Sequence, residues 1–236
     1  MYILAFDSTA KIAAVALLEN DRPVASYQID AGLTQSELLL PMAEHILSSL
    51  SLSFSDIGLF AVSAGPGSFT GVRIGAALVK GLAFGKNIPC VPVSAPEALA
   101  ENVATLPGIL LPAMDARRSQ VYTATFRSEG NLPVRLTPDR AVSVDALTEE
   151  FRDTKEPVIP VGDGAPLLLR AFRAAKIPCI EPPTILMQEN AVSVGRVAYR
   201  KYLAGEWVSD EALRPTYLRL PQAERERLAK EGKSDG

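Results

Sequence analysis

Histidine is almost missing from this 236-residue sequence; His45 is the only one. A zinc site of several histidines, or a His-x-x-x-His metal pair, is therefore excluded. His45 itself lies inside the apolar helical pattern PMAEHILSSL, where a residue on the helix surface is the simplest reading. Cysteine is nearly as scarce. Cys90 and Cys179 each follow a proline, in IPCV and IPCI, and read as two buried, reduced thiols rather than a disulfide framework. A large charge excess is also missing, since the net charge is −3. A domain that grips nucleic acid over a broad face would be basic, so any such contact here has to be local. The N-terminal MYILAFDST has neither a basic lead nor a long apolar run. It is expected to be neither a signal peptide nor a membrane span, and the cytoplasm is the expected compartment.

What remains is an ordinary globular composition, 47% hydrophobic and 22% charged, in a length that suits one large or two small domains. YILAFD at 2–7 reads as a buried strand ending in an acid. AAVALL at 13–18 and PVASYQI at 23–29 continue it as an antiparallel meander, with ENDR as a turn. TQSE at 34–37 fits a capping box and opens a helix, which Pro41 should kink or delay. IGLFAVS at 57–63 is a strand, a helix is expected from about Val72 to Phe84, and 88–94 and 94–104 give a strand and a helix. After the breaker TLPG the pattern restarts. Strand 109–117 ends in Asp115, QVYTATF and PVRLTPDRAV bring further strands, and SVDALTEEF is a short helix. PVIPVGDG at 157–164 is a strand, and helices follow at APLLLRAFRAA and at 190–206. This repeat of pattern divides the chain into 1–106, 107–220 and a charged tail, 221–236, expected to be disordered.

SAGPGSFTGVRIG, residues 63–75, carries the first chemical question. It lacks the lysine of a Walker A loop and places its third glycine one residue late for a dinucleotide fingerprint. Two readings stay open: a helix N-terminus that favours an anion, or a tight turn that launches a closely packed helix. That helix, VRIGAALVKGLAFG, is apolar on every face, so the faces not taken by the sheet meet either the 38–46 helix or a partner. Asp7 with Ser8 and Thr9, Asp115, and the glycines around Asp163 could each serve a metal–phosphate or nucleotide group, or could simply cap turns.

The strings AFDST, SELLLP, GPGSFTGVRIG, MDARRSQVY, VGDG and RPTYLR occur in this order over residues 1–220. In this they resemble the TsaB (YeaZ) family, a paralogue of TsaD in the actin/hexokinase/sugar-kinase superfamily. The resemblance implies an α/β, two-lobed actin-like ATPase (ribonuclease H-like) fold with mixed sheets and a reduced second lobe. It implies a non-catalytic scaffold for the transferase that makes threonylcarbamoyladenosine at adenosine 37 of tRNA. The partners implied are TsaD, as a heterodimer, TsaE, and tRNA through the complex, with a homodimer when the chain is alone and no membrane. ATP or ADP and the metal would belong to the partner subunits, with no tightly bound cofactor here. The implied partner surface is Leu38, Leu39, Met42, Ile46, Val72, Gly75, Val79 and Leu82. Vestigial nucleotide or anion contacts would fall on Asp7, Ser8, Thr9, Arg117, Arg118, Gly162, Asp163 and Gly164. Gln35 stands where relatives often keep a histidine, which argues further against a metal, and Arg117 stands where an active ATPase keeps a glycine, so nucleotide binding by the chain alone should be weak or nil. A stand-alone ATPase or sugar kinase is the alternative, and a metalloprotease is the poorest fit.

Overall fold

A computed structural model describes residues 1–32 and 34–219. The expected tail, 221–236, lies outside the described residues. Two sheets are built in succession. The first runs β1 (Tyr2–Asp7), β2 (Ala13–Glu19), β3 (Arg22–Ile29), helix α1 (Gln35–Ser49), β4 (Ile57–Ser63), helix α2 (Phe69–Ala83), β5 (Cys90–Val93) and helix α3 (Ala95–Asn102). Its order is β3-β2-β1-β4-β5, with β1, β2 and β3 antiparallel and β4 and β5 parallel to β1. This is the ribonuclease H-like order of the actin-like fold. β1, β2 and β4 are buried on both faces, which is why their sequences are continuous apolar runs.

The second sheet uses β6 (Ile109–Asp115), β7 (Gln120–Thr123), β8 (Phe126–Glu129), β9 (Leu132–Arg135), β10 (Arg140–Ser143) and β11 (Val158–Val161). Helix α4 (Val144–Glu150) precedes β11, and helices α5 (Ala165–Ala174) and α6 (Ala191–Leu203) follow it. QVYTATF, expected as one strand, is broken at Ala124–Thr125 into β7 and β8, and both pair with β6. The break is held by the N–H of Thr125, which donates to Thr137 Oγ1 at 2.8 Å. β11 lies parallel to β6 on its other side, as β4 lies beside β1. The counterpart of β5 has shrunk to one bridge, Val158 with Cys179, so the second lobe is the reduced one.

α6 comes from the segment assigned above to the second lobe, yet it packs on the first sheet. Ala191, Val194, Val197 and Ala198 cover the face made by Ile3, Ala5, Ala14, Ala16, Leu18, Leu59 and Ala61. Gly195 lets it approach: a Cβ there would lie 2.3 Å from Leu18 Cδ1. The other face of the sheet is covered by α1 and α2.

Several local expectations change. α1 begins at Gln35 and runs through Pro41 without a later start. The capping box does not form through the backbone; Thr34 Oγ1 donates to the Glu37 carboxylate at 2.6 Å instead. α2 begins three residues earlier than expected, capped by Ser68. Cys179 is half-buried rather than buried, while burial pushes the Cys90 thiol up to about 11. His45 is exposed and meets the edge of Tyr27.

Candidate functional site

The end of β1 and the start of α2 touch. Asp7, Ser8 and Thr9 are buried. Asp7 Oδ1 accepts from the Thr9 N–H at 2.9 Å and from Thr9 Oγ1 at 2.7 Å, while Ser8 Oγ donates to the Gly71 carbonyl at 2.8 Å. A Cβ on Gly71 would lie 1.8 Å from the Ser8 carbonyl oxygen, and one on Gly75 would lie 2.8 Å from Ser8 Oγ. The glycines of GPGSFTGVRIG therefore seat α2 against the tip of β1. Burial raises the Asp7 carboxyl above its ordinary range, against the bonds from Thr9.

The matching tips in the second lobe also meet. The Asp115 N–H donates to Asp163 Oδ1 at 2.9 Å. Gly162, at φ +112, would place a Cβ 2.4 Å from the Ala113 carbonyl, and the Gly164 N–H donates to that same carbonyl at 2.9 Å. These two glycines fit the turn onto β6 rather than an approaching ligand. Partial burial, with the nearby Asp115 charge, raises the Asp163 carboxyl, while the N–H donors of Asp115 and Gly164 oppose the rise. Arg117, Arg118 and Ser119 all stand at positive φ, between +54 and +66, a left-handed turn of three non-glycine residues.

Between the lobes lies a cavity of about 450 Å³. Lys11, Gln35, Gly67, Arg117, Asp163 and Tyr217 are among the residues that line it. Gln35 Nε2 donates to the Ala10 carbonyl at 3.0 Å and ties α1 to the β1–β2 loop. The Ser8 and Thr9 hydroxyls are spent inside the fold, and Arg117 from the left-handed turn opposite lines the cavity. Among the described residues, no group of three or more His, Cys, Asp or Glu is placed to hold a metal ion. Sequence reasoning overlooked Glu189. It is buried, its Oε1 has no hydrogen-bond partner among the described residues, and burial with the Asp7 and Asp163 charges pushes its carboxyl up to about 8. It follows an irregular segment with no periodicity, and nothing in the letters marks it.

The implied partner surface needs correction. Leu39, Met42, Ile46, Val72, Gly75 and Val79 are buried in the first lobe's own packing, so they are spent before any partner arrives. Leu38 and Leu82 are half-buried. The exposed residues of α2 are Thr70, Arg73, Ala77 and Gly81, with Phe84 just past its end 75% exposed, while Ile74 and Leu78 are half-buried against the lobe's own core. A Cβ on Gly81 would meet open space.

A family described as TsaD, tRNA N6-adenosine threonylcarbamoyltransferase, matches residues 30–226. A Bacillus subtilis protein named tRNA threonylcarbamoyladenosine biosynthesis protein TsaB is 35% identical over 162 residues, covering 69% of this chain and 71% of that relative. The chain belongs to the TsaB family. The Escherichia coli TsaB is also 35% identical, over 56% of this chain and 57% of its own length. In fold, YeaZ from Pseudomonas aeruginosa matches with a TM-score of 0.75 at 23% identity, covering 92% of this chain and 99% of that one. The match to the TsaD family makes this TsaB-family chain a paralogue of TsaD.

Proposed function

We propose that this chain is a non-catalytic subunit in the synthesis of threonylcarbamoyladenosine in tRNA, a scaffold that pairs with TsaD and helps recruit TsaE. Membership of the TsaB family supports the pathway. The single observation that favours a scaffold over an enzyme is how the groups at the tip of β1 are spent. Ser8 is bonded to the Gly71 carbonyl of α2 and the Asp7 carboxylate to Thr9, so these groups are spent within the fold, while α2 presents Ala77, Gly81 and the exposed Phe84 at its outer end. A kinase or ATPase must instead aim such groups at phosphate and magnesium. ATP or ADP and the metal then belong to the partner subunits, tRNA reaches the chain through the complex, and the compartment is the cytoplasm. Without its partner, the chain pairs with a second copy through the same helix face.

The test is reconstitution of TsaD and TsaE with tRNA, with and without this chain, alongside a pull-down of TsaD. Gly81→Arg puts a charge on the outer face of α2 where space is open. It should leave the fold intact and weaken TsaD capture by tenfold or more. Val79→Asp is the wrong probe, since Val79 is fully buried and its loss would unfold the lobe. Full activity without this chain, or undiminished capture by Gly81→Arg, would overturn the scaffold.

A further inference from the structure

The stretch that follows α6 returns along the first lobe and ends across the cleft. Val208 exchanges two backbone bonds with Cys90 on β5, each at 2.9 Å. Leu213 is buried in the packing of α1 and α2. Lys80 Nζ on α2 donates to the carbonyls of Glu211 and Leu213 at 3.3 and 3.4 Å. The Thr216 N–H donates to the Ala64 carbonyl at 2.7 Å, and the Thr216 carbonyl lies so close to Gly65 that a Cβ there would be 2.6 Å away. Tyr217 stacks on Phe69 with centroids 4.8 Å apart and accepts from Arg73 Nε at 2.9 Å. Every one of these partners is in the first lobe.

Arg219 then changes sides. Its guanidinium donates to the Ala116 carbonyl at 3.0 Å and to Gln120 Oε1, and lies over the Tyr122 ring at 5.6 Å. All three partners flank the left-handed turn of the second lobe. Thr216, Tyr217, Leu218 and Arg219 form one wall of the 450 Å³ cavity. Other ties between the lobes run through α3, where Arg135 on β9 donates to Ser94 Oγ at 3.0 Å and pairs with Glu97 at 3.5 Å.

We infer that residues 208–219 are a latch that fixes the angle between the lobes, fastened to the first lobe along its length and to the second by Arg219. With α3 as the hinge side, Arg219 sets how far the cleft mouth opens. Its planar fork serves two acceptors at once, which a lysine cannot reproduce. The inference concerns the isolated chain and stands whether or not the scaffold reading holds.

Hydrogen exchange on the full chain tests it. Arg219→Ala and Arg219→Lys should both speed amide exchange over residues 116–122 by about tenfold. Residues 208–216 should exchange as in the wild type, because their bonds are all to the first lobe. Gln120→Ala, which breaks one bond from the other side, should give a smaller change in the same place. Unchanged exchange over 116–122 in both Arg219 variants would overturn the latch. So would 208–216 loosening together with 116–122, which would make the segment a loose tail. Spin labels at Thr70 and Arg118, exposed on either side of the cleft, give an independent reading in a Cys179→Ser background. The distance distribution should broaden when Arg219 is removed, and an unaltered distribution counts against the latch.

Discussion

Glu189→Gln should make this protein more stable at neutral pH, and the gain should depend on pH in one direction. In the folded chain the Glu189 carboxyl titrates near 8; its ordinary value is 4.5. Burial is the main cause, and the neighbouring charges are Asp7 at the end of β1, Asp163 after β11 and Asp30 after β3. An acid whose pKa is raised by folding binds a proton that the unfolded chain would release. Its contribution is fully present below pH 4.5 and is lost as pH rises toward 8. At about 1.4 kcal/mol per pH unit, holding that proton at pH 7 costs up to about 3 kcal/mol, and from pH 8 upward the loss levels off near 5 kcal/mol. Glutamine keeps the shape and cannot ionise. The variant should therefore match the wild type at pH 4.5 and gain up to about 3 kcal/mol by pH 7, roughly 6–12 °C in Tm for a chain of this size. Urea unfolding at pH 4.5, 7 and 9 is the assay. Parallel stability curves for the two proteins would refute the reasoning, because the wild-type slope is the only part assigned to Glu189.

Two further substitutions test the backbone readings. Ser119→Gly relieves one residue of the left-handed turn, at φ +55, and should stabilise by roughly 0.5–1 kcal/mol after the entropy of glycine is counted, read as a higher urea midpoint. Gly71→Ala drives a methyl to within 1.8 Å of the Ser8 carbonyl oxygen and should cost at least about 3 kcal/mol, seen as a large fall in Tm, because α2 must move off β1.

The letters made the strands and helices legible because burial writes itself as period. β1, β2 and β4 are apolar runs, α5 alternates at helical spacing, and the two acids at strand ends mark the duplicated lobes. The sites were less legible. Apolar residues on α1 and α2 announce that a helix is covered without saying by what, and most of the chosen ones are covered from within. Gly75 looked like a partner contact because glycine spacing signals close approach, and the close approach is to Ser8. Glu189 gave no signal, since the charges of Asp7 and Asp163 that act on its buried carboxyl come from distant parts of the chain. The early start of α2 followed from Ser68, a cap that the glycines around it hid.

The return of α6 to the first sheet has a consequence for how the protein is made. Until residues 191–203 leave the ribosome, the face of the first sheet formed by Ile3, Ala5, Ala14 and Leu59 has no cover. The second lobe is thus an insertion within the first, and translation must pass through the whole of it before the first lobe can close. A fragment cut near residue 106 would carry the five strands of the first sheet and leave that apolar face to water or to aggregation.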